Sequence, residues 1–236
     1  MNEITKNNIH LFYGWSGVAF VVILSFAFIV VADFFPPPSP SLPADEIAEI
    51  LSGNSAAIKF AMMLTMFAAM FYFLFIVITA KLISKVEGEV GVLTLTYVSS
   101  GGFNLIAFSF PAIWWITAVF RSDTLSYVVQ FLNDMSWLMF FGFITPTLMI
   151  MTVTAVVSFI DKSDVPLFPR WFGCFCLWGV TMFIPGQVIF FFNEGPFSWD
   201  GMVGFWVPAI DFYLQFIFTI FFVLRYIYRE RREISL

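Results

Sequence analysis

The sequence predicts an all-α integral membrane protein: a bundle of six transmembrane helices, both termini cytoplasmic, with a long third/fourth helix hairpin and kinked later helices. Three observations lead there. Of 236 residues, 60% are hydrophobic and 11% charged, against roughly 25% charged in an ordinary soluble domain, and the mean hydropathy is +0.90. Six apolar runs are long enough to cross a hydrocarbon core of about 30 Å, which takes about 20 helical residues. The basic residues fall almost entirely on one side of those six crossings.

The runs cover 11–33, 57–82, 91–120, 125–160, 171–193 and 202–225, within a single domain that spans residues 1–236. The segment 34–56 joins the first two as an outer proline-rich loop. Its "FFPPPSP" must be extended, whereas "LPADEIAEIL" reads as a short surface helix capped near Pro43 and ended by Gly53. The other connections are short, so consecutive spans are expected to be antiparallel neighbours. Residues 226–236 form a basic tail. A cleaved signal peptide would have an apolar core shorter than the first run, so that run is read as a span.

Lys6, Lys81, Lys85, Lys162, Arg170, Arg225, Arg229, Arg231 and Arg232 lie on one side of this arrangement, and Lys59 and Arg121 on the other. Lys and Arg accumulate on the cytoplasmic face, which places both termini there. The outer loops are acidic, with Asp33, Asp45, Glu46, Glu49, Asp123, Glu194 and Asp200.

Depth along each span sorts the polar residues. At about 1.5 Å per residue, Asp134 stands about 39 Å above the inner end of the fourth span, beyond the hydrocarbon. Asn133 and Asp134 are therefore expected to be interfacial, forming an outer rim with Arg121 and Glu194, and Arg121 is the candidate partner of Asp134. Trp115 and Trp137 come out at belt height, where indoles anchor at the interface.

By the same measure Asp211, Asn104 and Gln187 share a layer at about 21 to 25 Å, inside the hydrocarbon. Polar side chains at that depth face partners or cavities. Thr96, Ser100 and Asn104 recur every four residues beside Gly101 and Gly102, and Asp211 and Gln215 stack one turn apart. Pro111, Pro146, Pro185 and Pro208 interrupt the later spans, each freeing a carbonyl one turn earlier. Asp211, Asn104, Gln187, Gln215 and Ser100 are the candidate ligand-binding residues. The alternative is a structural network that glues helices together.

Two loops are patterned. In "FNEGPFSWDGMVGFW" (192–206), Glu194-Gly195-Pro196 makes a tight turn, Ser198 or Asp200 is expected to cap the sixth helix, and Trp199 and Trp206 to anchor it at the interface. In "DKSDVPLFPRWFG" (161–173), Arg170-Trp171 heads the fifth span.

Several functions are excluded. With one histidine, His10, and two cysteines, Cys174 and Cys176, there is no set for a histidine-ligated metal or haem, and no cofactor is implied. The cysteines are two apart on one helix and diverge by roughly 200°, so they pack rather than pair. No catalytic motif or phosphate loop occurs, which argues against an enzyme, although an isomerase working through Asp211 is conceivable. The spans lack the polar stripes of an ion pore. Nucleic acid is not an expected partner.

Two readings remain. In the first, the protein binds or transports a small apolar or amphiphilic molecule through the polar layer, aided by the adaptable Met62, Met63, Met66 and Met70. In the second, it is a structural or accessory subunit, homo-oligomeric or bound to a partner membrane subunit. Either sits among membrane lipids as a multi-pass protein, with a bacterial inner membrane as the expected setting.

Overall fold

The computed structural model describes residues 3–234, and among them the secondary structure is entirely helical. Six helices are long and apolar enough to cross a membrane: Thr5–Val31, Ser55–Glu87, Val92–Ala118, Ser126–Ile160, Arg170–Phe191 and Met202–Arg232. The first is α1 (Glu3–Ser25), which widens into a π-helical turn at Phe26–Val31. The short helix α2 (Ala44–Gly53) follows the extended segment, and α3 (Ser55–Glu87) and α4 (Val92–Ala118) form the next hairpin.

The fourth crossing is two helices, α5 (Ser126–Gly142) and α6 (Thr145–Ile160), broken at Phe143 and Ile144. The fifth is α7 (Arg170–Phe183), which tightens to a 3-10 helix over Ile184–Phe191. The sixth opens with a π-turn at Met202–Trp206 and continues as α8 (Val207–Ile234).

Local chemistry sets the turns at the basic end. Gly88 ends α3 at φ 82°, a left-handed conformation that suits glycine. The Glu87 carboxylate then reaches forward to accept from the backbone of Leu93 (3.0 Å) and Thr94 (2.8 Å), satisfying free N–H groups at the start of α4. Asp161 holds the next turn by accepting from Ser163 and Leu167 backbone N–H groups at 3.0 and 2.8 Å. Lys85 on α3 pairs with Glu230 on α8, and Arg225 donates to the Pro166 carbonyl at 2.9 Å, so the turns of two hairpins meet the end of α8 here.

Close helix approach depends on small residues. A β-carbon on Gly101 would overlap the Ile76 side chain, so the absence of one lets α4 lie against α3. Gly102 has no such role, since a β-carbon there would meet Phe73 at an ordinary 3.7 Å. The bundle axis is filled by aromatic rings: Phe20 on α1 packs against Tyr72, Phe108, Phe212 and Phe216, with centroids 5.0 to 6.4 Å apart.

The loop after α1 does not project into solvent. It folds back over the ends of α4 and α5, seating Phe34 against Phe28, Trp115 and Trp137, and α2 lies along α5, where Gln130 donates to the Leu42 carbonyl at 3.1 Å. Trp115 and Trp137 are each 1% exposed and lie 4.9 Å apart, edge to face. They are core residues, contrary to the belt position that helix length suggested. The depth argument treats each span as a bare rod and has no term for a loop that returns to cover it.

Candidate functional site

Proline chemistry shapes the bundle interior. Pro146, near the start of α6, has no N–H to give the carbonyl one turn earlier, that of Gly142. Gln187, from the 3-10 segment after α7, donates its side-chain amide to that carbonyl, which also accepts the Ile144 backbone N–H at 2.9 Å. Pro185 begins the 3-10 stretch and Pro208 follows the π-turn into α8, whereas Pro111 leaves α4 continuous. Three of the six crossings therefore lose regular α-helical geometry next to a proline, and the first loses it without one at Phe26–Val31.

The three irregularities meet at one cavity of about 90 Å³, walled by Phe143 and Ile144 from the first break, Phe183 from the second, and Phe205 and Pro208 from the third. The rest of the wall is largely aromatic and includes Phe28, Phe108, Trp137, Phe140 and Phe212. Asn104, Thr147 and Tyr213 supply its polar side chains. Asn104 donates to the Tyr72 hydroxyl (2.9 Å) and to Thr147 Oγ1 (3.1 Å), tying α4 to α3 and α6. The Tyr213 hydroxyl meets Ser25 Oγ at 3.0 Å, tying α8 to α1.

A second cavity of about 40 Å³ adjoins the first and shares Asn104, Thr147 and Phe212 with it. Its lining is mixed: Tyr72, Tyr97, Thr154, Gln215 and Thr219 stand among Ile76, Ile150, Met151 and Phe216.

The candidate residues do not form one site. Asn104 lines both cavities and Gln215 the smaller one. Ser100, 4% exposed, donates to Met149 Sδ at 3.5 Å and lines neither. Gln187 is committed to Gly142. Asp211, 2% exposed, faces α7: both its oxygens lie over Gly179, beside the Gln215 amide, outside both cavities. Depth put Asn104, Gln187 and Asp211 in a common layer, but rotation about each helix axis aims them at different neighbours.

The outer residues part company in the same way. Asn133 is 0% exposed and accepts from Trp115 Nε1 at 3.1 Å, so it is an interior residue and not an interfacial one. Asp134 beside it is half-buried, while Arg121 and Glu194 are exposed, and among the described residues Arg121 makes no ion pair with Asp134. The final loop turns at Gly195 with φ 82°. Ser198 bonds to the Gly195 carbonyl and to Asp200 rather than capping a helix, and Gly201 precedes the π-turn with no side-chain cap. Trp199 is 4% exposed and donates to the Pro38 carbonyl at 2.9 Å, so it locks two outer loops together instead of anchoring at the interface.

Tyr72, Thr147 and Tyr213 belong to the site and were not singled out from sequence. The available signal was that a tyrosine buried mid-span needs a partner for its hydroxyl. Cys176 is more than a packing residue, since its thiol donates to Gln215 Oε1 at 3.1 Å; Cys174 is exposed and unpaired with it.

Comparison with known protein families, curated proteins and solved structures returns no match to this chain. The fold and cavities thus define its class, a polytopic helical membrane protein with an interior aromatic chamber.

Proposed function

We propose that this protein binds, and in its working cycle transports, a small apolar or amphiphilic molecule in the aromatic cavity. The observation behind this reading is the convergence of three interrupted helices on one cavity. Irregular backbone at membrane depth is tolerated where it borders a cavity, and such helices are where membrane transporters place their ligands. Aromatic walls with a few fixed polar groups describe a site that takes an apolar body and orients one polar end, here toward Asn104, Thr147 and Tyr213.

Size narrows the ligand. An apolar cavity of about 150 Å³ accepts benzene, so about 90 Å³ fits a short aliphatic segment, and a larger molecule requires the helix breaks to yield. The setting we propose is a bacterial inner membrane with both termini cytoplasmic.

The test is photolabelling of the full chain in lipid nanodiscs with a diazirine-bearing octanol, followed by peptide mass spectrometry. Adducts are expected on Phe140, Phe183 and Phe212, and Ala209→Leu, which fills the cavity wall, should remove them. Labelling confined to lipid-facing residues such as Phe67 and Phe221, unaffected by Ala209→Leu, would overturn the reading.

A further inference from the structure

Among the described residues, Asp211 carries the one buried carboxyl group, and the aromatic cavity does not use it. Neither oxygen has a hydrogen bond of good geometry among the described residues, and the side-chain donor that approaches them is the Gln215 amide. Gln215, one turn along the same face, gives one amide N–H to the Phe175 carbonyl at 3.2 Å and keeps a second beside Asp211, while its oxygen accepts from Cys176. A β-carbon on Gly179 would lie 2.7 Å from Asp211 Oδ2, so the glycine makes the space that the carboxyl occupies. A bare, ionised carboxylate at this depth without a partner is strongly disfavoured.

Few titratable groups face it. Cys176 does so from α7. Tyr213 is on α8 itself, with its hydroxyl turned to Ser25 on α1. Tyr72 on α3 and Tyr97 on α4 face the smaller cavity. No lysine, arginine or histidine pairs with Asp211 among the described residues. A metal cation would need several oxygen ligands, whereas the neighbours here are a glycine and an amide whose oxygen is engaged. The remaining counter-charge for the carboxylate is a proton.

A route for that proton adjoins the site. The smaller cavity, at about 40 Å³, exceeds the roughly 10–15 Å³ that one water needs, and the Tyr72, Tyr97, Thr154, Gln215 and Thr219 side chains in its mixed lining are the partners such a water would use. Gln215 lines it on one side and stands beside Asp211 on the other. Phe212, next to Asp211 in the chain, lines both cavities.

We propose that the Asp211 carboxyl is a proton-binding site of the bundle, reached through a hydrated chamber beside Gln215, and that its occupancy is coupled to ligand in the aromatic cavity. The coupling rests on the cavity reading; the proton site does not. The proton moves as a relay: a bulk hydronium passes a proton to a chamber water, which passes one on to the carboxylate and stays neutral, and release runs in reverse. Deprotonation puts an unpaired charge against Gly179 and favours separation of α7 from α8, whose residues Phe183 and Phe212 wall the aromatic cavity.

The experiment uses the full chain in nanodiscs of phosphatidylcholine and phosphatidylglycerol. Infrared difference spectra across a pH step should show a protonated carboxyl C=O stretch that shifts in D₂O, is lost in Asp211→Asn, moves in Asp211→Glu and persists in Asp134→Asn. Labelling of Phe212 by the diazirine-bearing octanol should change several-fold over the same pH range in the wild type, and Asp211→Asn should hold it at the acid-side level. Absence of an Asp211 band overturns the proton site, as does a band that responds to replacing sodium with choline at constant pH. A band with pH-independent labelling overturns the coupling. If the cavity is never labelled, the cavity reading and the coupling fall together, while the band still decides the proton site. Asp211→Glu keeps the assignment testable should the asparagine variant not fold.

Discussion

Trp115 on α4 donates its indole N–H to Asn133 Oδ1 on α5 over 3.1 Å, in a part of the bundle where Asn133 is fully buried. Removing the acceptor strands a buried donor, which costs about 1–3 kcal/mol. Asn133→Ala is expected to lower stability by that amount in denaturant titration of the purified protein. In a double-mutant cycle with Trp115→Phe, the combined loss should be smaller than the sum of the two, because both variants break one bond. Additive losses would show that the two residues act independently. Arg121→Ala, at an exposed and unpaired position nearby, should stay within about 0.5 kcal/mol of the wild type.

Phe34 is the ring that fastens the returning loop to the bundle, with 1% exposure and contacts to Trp115 at 5.2 Å and Trp137 at 5.5 Å. Phe34→Ala is expected to cost about 3–5 kcal/mol. The loss should be local first: protease cleavage between residues 36 and 43 should accelerate under conditions where the helices remain intact by circular dichroism. Cleavage at the wild-type rate would mean that the loop is held by other contacts.

Gly101 and Ile76 test the close approach of α3 and α4. Gly101→Val drives a side chain into Ile76, and overpacking of this kind costs about 1–3 kcal/mol. Ile76→Ala in the same chain should recover much of that loss by making room, although alone it leaves a void. Failure of the second substitution to help would place the strain elsewhere.

The polar tie of Asn104 to Tyr72 should be modest. Hydrogen bonds between membrane helices average about 0.6 kcal/mol and reach about 1–2. Tyr72→Phe, which keeps the ring packed against Phe20 and Phe216, is expected to fall in that range by the same titration. A much larger loss would mean that the hydroxyl organises the smaller cavity beyond this one bond.

Lys85 and Glu230 have side chains 34% and 28% exposed. A pair so open to water contributes about 1 kcal/mol or less and weakens with salt. Glu230→Gln should therefore shift stability slightly at low ionic strength and not measurably in high salt.

The interior site was legible in part. Asn104 and Gln215 were identifiable from depth and four-residue spacing, because a polar side chain far from either interface must find a partner or a cavity. One freed carbonyl was also legible: Pro146 implied a Gly142 carbonyl without its helical donor, and Gln187 answers it together with the Ile144 N–H. The aromatic residues of the cavity wall were hidden among 34 phenylalanines, since composition does not say which rings face inward.

By itself the sequence determined the six crossings, the helix Ala44–Gly53 and the interruptions near Pro146, Pro185 and Pro208, though not that Pro111 leaves α4 continuous or that the first crossing widens at Phe26–Val31. Each follows from local physics: apolar length against bilayer thickness, capping and turn residues, and the missing N–H of proline. Only the tertiary structure decided that Trp115, Trp137 and Trp199 are interior, that Asn133 is buried, and that Asp211 turns to Gly179 and away from Asn104. Those outcomes depend on how a loop returns over the bundle and how each helix is rotated about its axis. Such choices are set by packing between residues distant in the chain, which depth and periodicity along one span do not contain.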